Sequence, residues 1–438
     1  MKLQGMLALL SLTAPVFGQY AGPAILTRGE APAAMSAPEI RFRPFLEVSA
    51  VYDSGLAGVA VTDKGELANQ GSYGMSFTWG VSGTHSWRHT KVGLDYRGSI
   101  QHYVQRTFYD SINQSLLLGI TQQFTRRVTL SLREGAGIFS RDFGLVAMPQ
   151  TVPFDPSTSY IPTTDFFDNR TFYVTSQADL SIQKTARLSF DLGGFGFINR
   201  RRSSALYGVV GSGAQGDVQY RVSRRSTIGA NYGYQHYTFN NIFGGTDAHE
   251  LSLTFAIRLS RWVEFSGFGG AVRAETKFLQ TVKISPVIAA LLGITTSSEV
   301  VHNIMYVPNV SGRLSRTFQT GVAYVAAGHT VTPGNGLFLT STMTSVMGGY
   351  NYTGLRRWSF GAAASYQRAE SIGNIIGNYG GESGSISASR QIAHSFHFIA
   401  SYSLRQYDSG SFSKYNRLIQ SARVGLGFTP GDVPLRIW

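Results

Sequence analysis

From about Arg43 onward, apolar and polar residues alternate along the chain with period two. Over 250–259, Leu251, Leu253, Phe255, Ile257 and Leu259 share one face, and Glu250, Ser252, Thr254, Ala256 and Arg258 share the other. Residues 91–101 repeat the pattern, with Val92, Leu94, Tyr96, Gly98 and Ile100 set against Lys91, Gly93, Asp95, Arg97, Ser99 and Gln101. Residues 417–428 do so again, with Leu418, Ala422, Val424, Leu426 and Phe428 on one side. Each alternating run is about 10 to 14 residues long, whereas strands of soluble sandwiches run to about five or six. That length suits a tilted strand crossing a bilayer. Tyr and Trp near the ends of runs, such as Tyr52, Trp79, Tyr103, Trp262, Tyr352 and Trp358, fit interfacial girdles.

The connections between runs alternate between short and long. The short ones resemble one another and most carry a basic residue: Ser86-Trp87-Arg88-His89, Thr125-Arg126-Arg127, Lys184-Thr185-Ala186-Arg187, Ser223-Arg224-Arg225, Ser260-Arg261-Trp262, Ser315-Arg316-Thr317, Leu355-Arg356-Arg357 and Ala393-His394-Ser395. Their regular spacing marks a repeated unit of two strands and one long loop. Eight such turns, with one strand before the first and one after the last, predict an all-β, transmembrane, antiparallel up-and-down barrel of about 18 strands (16–18). An even count puts both ends of the barrel on one side. The long connections, 53–70, 142–170 and 276–302, then lie on the other.

Composition narrows the class. Charged residues make up 14% of the chain, against about 25% in ordinary soluble domains. Gly (50) and aromatics (13%) are abundant and Cys is absent, which excludes disulfide frameworks, thiolate metal sites and cysteine nucleophiles. No internal stretch reaches the 18 or more consecutive apolar residues of a membrane helix. At the N-terminus, Met1-Lys2, the apolar run 6–17, and small residues at Val16 and Gly18 predict a signal peptide over 1–18. The Ala-, Pro- and Gly-rich segment 19–40 is expected to be a flexible periplasmic lead-in, with the barrel over 41–438. The short turns are then periplasmic and the long loops extracellular.

The last strand, Ser421-Ala422-Arg423-Val424-Gly425-Leu426-Gly427-Phe428, has a central Gly and a terminal aromatic. It is similar to the assembly signal of Gram-negative outer-membrane barrels. Over about residues 41–438 the chain resembles the porin-like members of that class, including the poorly characterised β-barrel porin group. The resemblance implies the cell outer membrane, outer-membrane lipid as surroundings, and barrel-assembly machinery reading the strand near Phe428. The chain departs from the pattern by continuing through Pro430 and Pro434 to Trp438. Phe428 is the expected signal residue, because the prolines interrupt ladder pairing.

The net charge of +13 is concentrated at the short turns. Arg88, Arg126, Arg127, Arg224, Arg225, Arg261, Arg316, Arg356 and Arg357, with Lys91, Lys184 and Arg187, lie in or beside them. Anionic headgroups or an acidic periplasmic partner would suit such a rim; solvated turn residues would look the same. Nucleic acid has no place there. By the alternation Arg97, Arg133, Arg221, Arg258, Arg313, Arg405, Arg417 and Arg423 point into the lumen. Glu47, Asp95, Asp179, Asp191, Asp217 and Glu250 join them. Arg rings favour anions and carboxylate rings cations, while ion-pair ladders bracing the wall are the alternative. In 276–302, Ser285-Pro286 and the following apolar run to Gly293 predict a short helix. Pro286, Ile288, Leu291 and Leu292 are expected to constrict the mouth, with 142–170.

No catalytic site, cofactor or metal is expected. Gly211-Ser212-Gly213-Ala214-Gln215-Gly216 matches a dinucleotide fingerprint in letters only, since no helix follows it. His85 and His89, and His394 and His397, bracket turns without a ligand set. The leading reading is a channel for passive diffusion of small polar solutes, with saccharides or anions as candidates. Its rivals are a barrel exporting an envelope polysaccharide and a barrel enzyme acting on lipid.

Overall fold

A computed structural model describes residues 41–54, 71–104, 110–140, 170–201, 207–240, 242–283, 285, 293, 296–332, 339–352, 354–372, 377–408 and 416–430. The expected signal peptide, lead-in, short helix and last eight residues lie outside them.

Among the described residues, eighteen strands form one sheet. They are β1 (Arg41–Asp53), β2 (Ser72–Ser86), β3 (Thr90–Tyr103), β4 (Ser111–Thr125), β5 (Val128–Ser140) and β6 (Arg170–Gln183). Then follow β7 (Leu188–Arg201), β8 (Val209–Arg221), β9 (Ser226–Phe239), β10 (Gly244–Arg258), β11 (Val263–Lys283) and β12 (Thr296–Phe318). The ring is completed by β13 (Gly321–Thr332), β14 (Ser341–Tyr352), β15 (Trp358–Ser371), β16 (Asn378–Gln391), β17 (Phe396–Asp408) and β18 (Arg417–Phe428). Each strand pairs antiparallel with its sequence neighbour, and β1 pairs with β18, from Leu46↔Phe428 to Asp53↔Ser421. The seam is also held by side chains: the inward Asp53 carboxylate accepts hydrogen bonds from Tyr103 on β3 and Ser421 on β18.

The outward face is apolar. Leu251 and Leu253 are 64% and 68% exposed, while the intervening Ser252 and Thr254 are buried. Met75, Phe77, Ile228, Val325, Ile386, Val424 and Leu426 are likewise exposed. Such a surface is stable against hydrocarbon, not water, and only a closed barrel leaves no unpaired strand edge there. On the short-turn side it ends in an aromatic belt. Phe318, Tyr350, Tyr352, Phe360 and Trp358 follow one another at centroid spacings of 6.0, 6.3, 6.5 and 5.5 Å. Guanidinium groups lie over this belt: Arg316 is 4.7 Å from the Phe318 centroid, Arg390 5.1 Å from Trp358 and Arg261 4.9 Å from Trp262.

The likeness among the short turns has a chemical cause. The Thr125 hydroxyl accepts from the amides of Arg127 and Val128, both at 3.1 Å. Thr185 and Ser260 do the same for the amides two and three residues on. A hydroxyl at the turn's first residue substitutes for backbone pairing where the ladder stops. Arg88, Arg126, Arg127, Arg224, Arg225, Arg261, Arg356 and Arg357 lie in these turns. Arg316 does not. It is a β12 residue opposite Val263 and Ala323, because β12 runs on to Phe318 and the turn is 319–320.

Two further expectations are corrected. The connection expected over 276–302 is mostly strand, since β11 and β12 stay paired up to Lys283↔Thr296. Together they form a hairpin of 21- and 23-residue strands rising past its neighbours. β12 pairs with β13 only below Val310↔His329, so Pro308, with no amide hydrogen, falls where the β13-side edge is unpaired. Tyr103, read by position as an interfacial ring, is inward and 1% exposed.

The Gly-rich stretch 211–216 is a packing device. Phe197 on β7 faces Gly211 on β8, and Phe195 faces Gly213. A Cβ at Gly213 would lie 2.5 Å from both the Phe195 ring and the Tyr234 carbonyl. Gly213→Ala should therefore destabilise the barrel by about 1–3 kcal/mol, read as a lower urea midpoint in micelles. Gly119→Ala, where an added methyl meets nothing within 4 Å, should leave the midpoint unchanged.

Candidate permeation path

Inward residues are lumen residues, and their burial maps which parts of the wall are packed and which meet water. On β1, β2, β3 and β6 the inward side chains toward the long-loop end are buried, including Ser49, Ser76, Ser99, Tyr103, Tyr173 and Thr175. Toward the short-turn end, Glu47, Asp95, Arg97 and Arg133 are partly exposed. The wall of β1, β2, β3 and β6 is thus filled toward the long-loop end, while on β7–β10 the inward Ser189, Asp191, Gln219, Thr227 and Ala256 are buried at the short-turn end as well.

Part of the filling comes from the last residues of β13 and the two residues before β14. Val331 packs on Ala248, Val272 and Ala274 of β10 and β11. Leu339 packs among Phe197, Val209, Tyr237 and Phe239 of β7–β9. Thr340 is fully buried, its hydroxyl 2.7 Å from that of Thr246 on β10. The ends of β13 and β14 thus lie inward against the β7–β11 wall. They leave a recess there lined by Phe195, Gln215, Asn231, Gln235, Glu250 and Val331.

The opposite wall is different. The inward side chains of β15–β17 stay partly exposed along the strands. They are largely serines in register: Ser359 faces Ser389 and Ser365 faces Ser383 across β15–β16, while Ser385 and Ser387 face Ser403 and Ser401 across β16–β17. The hydroxyls of Ser359 and Ser389 are 2.6 Å apart, and those of Ser365 and Ser383 are 2.7 Å apart. Small inward residues, Gly361 and Ala363, keep this wall low.

Among the charged positions singled out by alternation, Arg97 with Asp95 and Arg423 with Glu47 form ion pairs within the wall. Arg97 donates through Nε and Nη2 to both oxygens of Asp95, at 3.0 Å each. Arg423 lies 3.8 Å from Glu47. Arg313 stacks 5.2 Å from the Tyr324 centroid, and Arg258 faces Glu264 across β10–β11. Asp179 is 2% exposed; Asp191, 3% exposed, faces Asp217 across β7–β8 and accepts from Ser181. Arg133 faces Gln177, Arg221 faces Thr227 and Arg405 faces Ser383. Glu250 borders the recess and accepts from Ser252 at 3.3 Å. The side chain of Arg417, and Pro286, Ile288, Leu291 and Leu292, lie outside the described residues. Sequence reasoning passed over the serine wall and the inward packing of Leu339 and Thr340. The run Ser383-Gly384-Ser385-Ile386-Ser387-Ala388-Ser389 carried a signal for the first; nothing local marked the second.

A closed sheet, apolar outside and polar inside, defines a membrane-spanning, porin-like β-barrel of the outer-membrane class. No family model and no curated protein matches the chain. It is similar in structure to OpdQ of Pseudomonas aeruginosa, at 10% identity over 90% of this chain and 98% of that one, with a TM-score of 0.44. OccK5 (OpdH) of the same organism is similar at 13% identity over 91% and 99%, TM-score 0.43. OccK2 (OpdF), solved in complex with glucuronate, is similar at 11% identity over 90% and 98%, TM-score 0.44.

The inward packing of Thr340 is directly testable, because the chain has no cysteine. Thr246→Cys with Thr340→Cys should form a disulfide on oxidation of the folded protein, since hydroxyls 2.7 Å apart place the two Cβ atoms near bridging distance. The bond is read as a mobility difference between reduced and oxidised samples. Absence of the bond in folded protein would mean that Thr340 does not pack against β10.

Proposed function

We propose that this chain is an outer-membrane channel for passive diffusion of small polar solutes. The observation that carries the reading is the serine wall of β15–β17, which keeps partly exposed polar side chains inside a barrel otherwise packed toward its long-loop end. Eighteen strands leave room for an aqueous lumen, and Val331, Leu339 and Thr340 narrow that lumen from one side. Solutes are sorted by width and by what the remaining wall offers. The short-turn rim faces the periplasm in this reading. Its arginines meet anionic headgroups or an acidic partner, and the strand ending at Phe428 is the element read during assembly.

Refolded protein in a planar bilayer should give steady conductance steps. Protein lacking 284–295 should give them too, the deletion being confined to these residues because 276–283 and 296–302 are paired strand. Silence from both, in protein shown to be folded, would overturn the channel reading. Steps from the truncated protein alone would mean a barrel closed at rest.

A further inference from the structure

We infer that the β15–β17 wall determines selectivity and favours uncharged, polyhydroxylated solutes of saccharide-like chemistry over organic anions and cations. The inference rests on the channel reading and names its solute class.

Three observations converge. First, the wall is uncharged over most of its height. Among its described inward side chains the ionisable groups are His397, near the short-turn end, and Arg405. Arg405 lies in the field of the Asp53 carboxylate across the seam. No carboxylate faces inward from these three strands among the described residues. Second, charges of both signs share the other walls. Arg97 with Asp95, and Arg423 with Glu47, are ion pairs, so neither sign forms the unopposed ring that sorts ions. Third, Val331, Leu339 and Thr340 at the ends of β13 and β14, with the packed inward side chains of β7–β11, occupy the opposite side. A solute crossing the narrow half therefore meets the serines.

The chemistry follows from the hydroxyl group. Each serine both donates and accepts, so a serine field can match a ring of solute hydroxyls in any rotational setting. A polyol sliding along it exchanges water hydrogen bonds for equivalent ones, at little net cost. An ammonium solute loses hydration there and gains no opposite charge, and among the described inward groups a carboxylate meets Arg405, already in the field of Asp53. The serines are also short, so the wall contacts solute without closing the path.

The test is the swelling of proteoliposomes containing the protein, in isotonic glucose, gluconate or glucosamine, with reversal potential in a KCl gradient measured alongside. Glucose should enter faster than either charged analogue by at least about threefold, and the reversal potential should lie near zero, because no unopposed charge ring is present. The variant Ser383→Ala, Ser385→Ala, Ser387→Ala, Ser389→Ala removes hydroxyls without adding bulk. It should lose the glucose preference while keeping its ion conductance. Ser76→Ala with Ser99→Ala, on the packed wall, should change neither. Ser385→Asp with Ser387→Asp should turn the channel cation-selective. The inference is overturned if charged and neutral solutes enter equally fast. It is equally overturned if the four-alanine variant keeps the preference, or if the aspartates leave selectivity unchanged. If no solute enters and no current flows through folded protein, the channel reading itself is overturned with it.

Discussion

Within hydrocarbon, a backbone amide without a partner costs several kcal/mol, and no water is present to supply one. This single constraint organises the molecule. It requires every strand to pair on both edges, which makes β1 meet β18 and places Asp53, Tyr103 and Ser421 together at the closing seam. It relaxes where a strand leaves the membrane zone. There β12 continues with one edge free of β13, and Pro308 is tolerated. The same demand appears in miniature at the short turns, where Thr125, Thr185 and Ser260 satisfy the amides that the ladder no longer reaches.

Closure alone would give a tube of even wall. This tube is uneven because inward side chains differ in size around the ring. Tyrosine, asparagine, glutamine and aromatic rings on β1–β11, with Val331, Leu339 and Thr340, fill one side. Serine, glycine and alanine on β15–β17 leave the other open. Phe195 and Phe197 lie over Gly213 and Gly211 by the same size matching, so the pore's shape and the barrel's stability draw on one set of residues. A motif that reads as nucleotide chemistry in letters is here a seat for two rings.

Period-two alternation carried the fold in the sequence, since lipid and lumen make opposite demands on successive residues. Eighteen strands, the closing pair and seven of the eight short turns were legible for that reason. The eighth, around Arg316, was misplaced because β12 keeps its alternation to Phe318 and a basic residue was taken as the mark of a turn. The hairpin of β11 and β12 was hidden for a related cause: alternation says that a strand exists and not how far it rises beyond the membrane. Tyr103 shows that parity outranks position, since its place near a strand end suggested an interface while its odd number put it inward. The lumen was read through its charges, which stand out in a chain poor in them. Their pairing across strands, such as Arg423 of β18 with Glu47 of β1, became visible only with register. The serine wall was written in residues 383–389, but which wall stays open depends on where Val331, Leu339 and Thr340 pack, and that is a tertiary fact.

The division between a lipid-facing and a water-facing side of each strand underlies everything above, and β16 displays it over five consecutive residues. Single cysteines at Ser385, Ile386, Ser387, Ala388 and Ser389, in protein reconstituted in vesicles, can be challenged with a charged, membrane-impermeant maleimide. The account predicts that the cysteines at 385, 387 and 389 react and those at 386 and 388 do not. Equal labelling at all five, or labelling confined to 386 and 388, would contradict it.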